Sequence, residues 1–271
     1  MSNEKKIDNF IQKEKTNVII TNLNYLEKTS ESNDIQVIRK LMKNKMKILP
    51  GNKVLDVGCG VGEELLDIAK IVGLDGFVVG IDVNEDAIEK ANKKLSSDLN
   101  NAKFEVQNAE HIEYANNYFD SSRSERVFQH LKNPDKVLEE MIRVTKTGGI
   151  ITVTDTDWDT LTINSENKQI TRMIVHKYAD KHMNGWSGRT LFSMFKQHNL
   201  KDIVVEPYVI QVYDFSTGRA YLGIDKAVET LILEKQITDK DAKQWWNELE
   251  EKNKKGLFFL SLVIFIVSGK K

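Results

Sequence analysis

Three glycines, Gly58, Gly60 and Gly62, stand at alternate positions in VLDVGCGVG, and one acid, Asp82, closes the next apolar run, GFVVGIDV. Glycine lets a backbone approach a ligand closely, and a helix that starts there presents unpaired N–H groups. A carboxylate about 20 residues further on can accept both hydroxyls of a ribose. The pattern points to a nucleotide-like ligand. A tight turn with no ligand asks for the same glycines.

Three ligand classes compete for the loop. A triphosphate loop ends in Gly-Lys-Ser/Thr, whereas this one ends Gly62-Glu63-Glu64, whose charges repel phosphate. A dinucleotide loop has a third glycine where Glu63 stands, so a pyrophosphate is also disfavoured, and with it a nicotinamide dehydrogenase. A ligand with a ribose and an ammonium group but no phosphate fits, because Asp56 supplies negative charge beside the loop.

These residues need a strand-helix alternation to hold them. NKVLDVG, GFVVGIDV, AKFEVQNAE, the polar FDSSRSERVF and GIITVTDTD read as five strands, with helices EELLDIAKIVG, NEDAIEKANKKL and NPDKVLEEMIRV between them. Asn84 is a plausible N-cap and Pro134 opens a helix. Such alternation implies a parallel sheet with helices on both faces. Before it, IQVIRKLMKNKMKIL (35–49) has helical spacing and stops at Pro50-Gly51.

After Asp159 the rhythm changes. Helices are expected at about 166–183, in LFSMFKQHNL, at 218–235 and at 240–254, the last capped by Thr238 or Asp239. KDIVVEPYVIQVYDF reads as a strand broken at Pro207, and LFFLSLVIFIVSG as a buried strand. The reading is one α/β domain: 1–50 as N-terminal helices forming a lid, 51–160 as the ligand-binding core, and 160–271 as substrate-side insertions and the last two strands.

Composition narrows the class. The 271 residues are 40% hydrophobic and 29% charged, with a net charge of -1, which favours neither nucleic acid nor an anionic membrane as partner. Cys59 is the one cysteine, so no internal disulfide or cysteine-rich zinc site forms. The charged start lacks an apolar secretory core, and the most apolar stretch, 257–267, is shorter than the about 20 residues of a membrane span. A cytoplasmic protein is expected.

The ordered set VLDVGCGVG, VVGIDVN, VQNAEHIEYANNYFD and FDSSRSERVFQHLKNPDKVLEEMIRVTKTGG resembles the class I S-adenosylmethionine-dependent methyltransferases over about 41–157, nearest to small-molecule enzymes of the ubiquinone/menaquinone-biosynthesis and natural-product type. The resemblance implies a Rossmann-like, doubly wound seven-stranded sheet with its last strand antiparallel, S-adenosyl-L-methionine as cofactor, and methyl transfer to O, N or C of a small molecule. It places Asp56, Gly58, Cys59 and Gly60 at the cofactor loop, Asp82 and Val83 at the ribose, and Asn108, Ala109 and Glu110 along the adenine. Asn108, where many relatives carry Asp, would bond the adenine through its side-chain carbonyl. Arg126 would lend its backbone to the amino-acid end, and Tyr25 would lie in the lid.

Catalytic candidates should follow strands four and five. His130 is the best-placed base, if one is needed; a local bond at a helix start is the alternative. Asp155, Asp157 and Asp159 in TVTDTDWDT are three acids in five positions. A Mg or Ca site is the less favoured reading, since strand alternation turns neighbours apart; one acid is expected to face the pocket while the others cap or meet solvent. Trp158 would wall the substrate or pack. His176 and His182 read as solvated, GWSGR (185–189) as a turn or an anion site through Arg189, Trp245 and Trp246 as packing, and EELLDIAKI as a plain helix face. The fourth-strand SERV lacks an Asn-Pro-Pro-Tyr-like sequence, which weakens an amino-group nucleobase target. A cofactor-binding sensor or rearrangement catalyst is the alternative function, and acceptor identity and oligomeric state are open.

Overall fold

A computed structural model of the chain describes residues 32–95 and 100–271. Helix α1 (Asn33–Met46) starts where the Ser32 hydroxyl accepts the Ile35 N–H at 3.3 Å, and buries Ile35, Ile38, Met42 and Met46 along one stripe. Then β1 (Lys53–Val57), α2 (Glu63–Val72), β2 (Phe77–Asp82), α3 (Glu85–Lys93), β3 (Ala102–Val106), β4 (Phe119–Glu125), a 3₁₀ turn (Phe128–His130), α4 (Pro134–Val144) and β5 (Thr145–Ile163) alternate as the apolar runs predict. Asn84 caps α3 by accepting the Ala87 N–H.

The second half runs α5 (Lys168–Asp180), α6 (Ser187–Gln197), β6 (Lys201–Val212), α7 (Phe215–Leu222), α8 (Asp225–Leu233), α9 (Asp239–Lys254) and β7 (Leu260–Lys270). The sheet has seven strands in the order β3-β2-β1-β4-β5-β7-β6. β1 to β5 are parallel, and β7 lies antiparallel between β5 and β6. β1 pairs β2 on one side and β4 on the other, which makes its C-terminal end the point where strand order reverses and ligands bind in such sheets.

Three expectations shift. β6 runs unbroken through Pro207, which sits opposite Phe265; β6 is an edge strand, where proline removes no bond the sheet needs. The helix expected over 218–235 is two helices, parted at Gly223 with φ +60. β5 continues past Asp159 to Ile163, with an irregularity against β7 between Asp157 and Thr162.

Helix α1 is a fixed part of the core: Ile35, Ile38 and Met42 pack among residues of β5, β6, β7 and α5, while Met46 joins the layer under α2. The rest of the expected lid, Tyr25 included, lies outside the described residues. No helix among the described residues is long and apolar enough to cross a membrane.

Candidate active site

The glycine loop is tied to β2 by its own acid. Asp82 accepts the Gly60 N–H through Oδ2 and the Asn84 N–H through Oδ1, both at 2.9 Å, while Gly58 and Cys59 donate to the Ile81 carbonyl. Gly58 has φ +73, and a Cβ there would stand 2.2 Å from Val127 Cγ2; a Cβ on Gly62 would meet the Phe104 ring at 2.4 Å. These glycines therefore serve backbone conformation and close approach at once. Val83 beyond Asp82 is exposed. Cys59 packs its sulfur over Gly80, and burial pushes its thiol pKa up.

Beneath the loop lies a charged cleft of about 60 Å³. Its floor is Arg123, 1% exposed, in β4 directly opposite Asp56 of β1. Arg123 donates to Glu125 at 2.6 Å and faces Asp56 and Glu64 at 3.5 Å. Arg39 reaches in from α1 to Glu125 at 3.0 Å, Arg126 pairs with Glu125 at 3.3 Å, and Lys43 pairs with Glu64 at 2.9 Å. Burial pushes the Asp56 carboxyl up to about 6 despite Arg123 beside it. Burial also works against an ionised Glu125, but Arg39, Arg126 and Arg123 outweigh it and hold its pKa at about 2.

The sequence reading passed over Arg123, Arg39 and Glu125 and took EELLDIAKI for a plain helix face; Glu64 in that run is buried and ion-paired. One signal was available: a lone arginine in the middle of a strand destined for the centre of a parallel sheet needs a buried anion beside it.

After β4 the chain turns sharply. Arg126 has φ +56, and its N–H donates to the Thr154 carbonyl at 2.7 Å. Its carbonyl accepts from Gln129 Nε2, so its expected backbone offer to a ligand is reduced to one carbonyl lone pair; the side chain lines the cleft instead. Gln129 locks the turn. Its N–H donates to Asp155 Oδ2 at 2.8 Å, its carbonyl accepts the Asn184 N–H, and its side-chain carbonyl accepts the Trp158 indole N–H. His130 follows at the exposed end of the turn; desolvation of its ring and the Arg126 charge lower its pKa.

The β5 acids do not behave as expected. Alternate residues of a strand share a face, and Asp155, Asp157 and Asp159 all meet the start of α6. Asp155 is fully buried and accepts from Gln129, Thr156 and the Ser187 hydroxyl; burial pushes its pKa up to about 7. Asp157, 1% exposed, takes both arms of Arg189, and Asp159 lies 3.5 Å from the same guanidinium. Asp155 and Asp157 are both buried, and the charge of Arg189 is compensated where it stands. The Asn108 side-chain carbonyl accepts the Glu110 N–H at 2.9 Å, which builds a turn, and Glu110 in turn accepts from Asn133. Ala109 is half-buried between them.

His182 was expected in solvent. It is instead stacked on Trp158, ring centroids 4.5 Å apart at 11°, with Tyr178 edge-on at 5.2 Å. Beside it opens a cavity of about 390 Å³ between the 3₁₀ turn and the α5–α6 segment.

The family described as a methyltransferase domain matches residues 48–207, more than half of the chain. The chain belongs to that family. An uncharacterized 37.1 kDa protein of Streptomyces fradiae is 26% identical over 90% of this chain and 70% of its own length. The ubiquinone/menaquinone biosynthesis C-methyltransferase of Hydrogenovibrio crunogenus is 37% identical over 39% of this chain and 42% of its own, so the match spans under half of that enzyme. The crystal structure of the YcgJ protein from Bacillus subtilis shares the fold with a TM-score of 0.60 at 17% identity, covering 86% of this chain and 97% of that one.

The methyltransferase takes S-adenosyl-L-methionine as its cofactor. The cleft suits a zwitterion of that kind. Arg123 Nε and Nη1 are buried donors without a hydrogen-bond acceptor, and among the described residues Asp56 has an ion pair at 3.5 Å and no closer partner. The cleft thus sets a cation with free donors beside a carboxylate.

Proposed function

We propose that this methyltransferase moves the methyl group of S-adenosyl-L-methionine to O, N or C of a small molecule. The observation that carries the acceptor class is the cavity of about 390 Å³ beside the turn after β4, a volume that suits a small molecule and is formed by the α5–α6 insertion. The overall charge of -1 leaves no basic excess for a nucleic acid.

When bound, the cofactor supplies an already activated methyl, so the protein's part is binding, orientation and exclusion of water. Asp56 faces the ammonium, Arg123 the carboxylate and Asp82 the ribose; Gly58, Cys59 and Gly60 pass their backbone close by. Val83 and the turn Asn108-Ala109-Glu110 border the adenine, and Arg126 closes the cleft. His130 accepts a proton from an acceptor that must lose one. Asp155 and Asp157 act as positioning residues, holding the turn and α6. The whole chain works as one domain in the cytoplasm.

Isothermal titration calorimetry with S-adenosylhomocysteine, with NADH as control, tests the cofactor part. Micromolar binding of the first alone is expected, and an absence of binding by folded protein overturns it. Transfer of labelled methyl to a small-molecule panel tests the rest. Binding without transfer to any acceptor would leave a cofactor-binding protein of another kind.

A further inference from the structure

The cavity beside the 3₁₀ turn is walled by acceptors. Asn184 Nδ2 is engaged by the carbonyls of Phe128 and Leu131, at 2.9 and 2.6 Å. The Ser187 hydroxyl donates to Asp155 and the Thr190 hydroxyl to the Ser187 carbonyl. What these side chains keep is their oxygen lone pairs. Asp180, also on the wall, brings a carboxylate, and the lining contains neither lysine nor arginine. Trp186, an exposed ring, carries the side-chain donor that is left. An anion is a poor occupant of such a space.

His182 completes the wall. Its Nδ1 stands 3.0 Å from the Tyr178 carbonyl, and a carbonyl can only accept, so Nδ1 carries the proton. The Trp158 stack and the Tyr178 edge fix the ring plane. Burial, with the charge of Lys181 nearby, holds the pKa at about 4, while the Tyr178 and Ala179 carbonyls oppose the shift. In the neutral ring Nε2 is then a bare acceptor, with no partner among the described residues.

We infer that this cavity is the methyl-acceptor site and that it selects a neutral molecule presenting a hydroxyl donor, which His182 Nε2 accepts. The inference rests on the methyltransferase reading for the word acceptor, and on the wall chemistry for the class of ligand. Phe128 and Met194 give the body of the ligand an apolar bed. His182 binds and orients; with a pKa this low it is not the base.

The test uses the full chain with ¹⁵N-labelled histidine and two probes, p-cresol and its methyl ether 4-methylanisole, which differ in the donor. Long-range ¹H–¹⁵N spectra, assigned by the signals lost in His182→Phe, are expected to show the Nδ1–H tautomer. p-Cresol is expected to shift the Nε2 resonance and to bind about fivefold or more tighter than the ether. In His182→Phe that preference disappears. An Nε2–H tautomer, equal affinity for the two probes, binding of neither, or a preference that survives the substitution overturns the inference. If His182→Phe does not fold, His182→Asn supplies the assignment, and the tautomer and the wild-type ratio decide. S-Adenosylhomocysteine affinity is measured separately and is unchanged in the variant. Its absence in the wild type would remove the methyltransferase reading and leave the cavity result standing.

Discussion

The Asp155 carboxylate accepts the Gln129 backbone N–H at 2.8 Å, which ties the end of β5 to the turn that follows β4. Asp155 is 0% exposed, and its pKa is raised to about 7 from an ordinary 3.8. A group whose pKa rises on folding binds its proton more tightly in the native state. Its contribution is therefore complete below about pH 4 and is lost as pH rises through about 7, up to about 4 kcal/mol for an isolated site. Asp56, raised to about 6, acts in the same direction. Urea unfolding of wild type and Asp155→Ala at pH 5 and pH 8 checks this: the variant should lose less stability between the two pH values. Parallel losses would show that Asp155 titrates normally.

Asp82→Ala should weaken S-adenosylhomocysteine binding by at least about tenfold, because the two ribose hydrogen bonds proposed for this carboxylate would be lost. The substitution also frees the Gly60 N–H, which Asp82 holds at 2.9 Å. Asp82→Asn keeps one acceptor oxygen and should fall between the two. Calorimetry ranks the three proteins.

Arg123→Met should cost about 3–5 kcal/mol of stability at pH 7. It strips Asp56, Glu64 and Glu125 of the guanidinium that faces all three in a buried site. Denaturant midpoints measure the loss, and adding Glu125→Gln should return part of it by removing one uncompensated charge.

Gly58→Ala should cost about 1–3 kcal/mol, since its new Cβ would sit 2.2 Å from Val127 in a left-handed backbone. Val127→Ala in the same chain removes the clashing methyl groups. The pair should therefore be less than additive, by about 0.5 kcal/mol or more. Strict additivity would mean that the backbone angle, not the crowding, sets the cost.

Local order could be read from the sequence because its causes are local. The glycine spacing, the Asn84 cap and the buried β-branched run at 260–267 depend on residues a few positions apart, and each stands as read. Thr238, also named as a cap, closes a capping box with Asp241. The acids of β5 were misjudged because their environment comes from α6, some 30 positions on. Only the packed helix decides whether Asp155 meets water or Ser187.

By itself the sequence determined the strand-helix alternation, the loop that brings a bare backbone to the end of β1, and the acid that closes β2. Tertiary structure alone decided which charges are buried. It set Arg123 opposite Asp56 across two strands far apart in sequence and brought Arg39 to them from α1. It also turned His182 from solvent onto Trp158. The reason is physical: periodicity and caps act over one or two turns of chain, whereas the desolvation that sets a charge's partners and its pKa depends on everything packed around it.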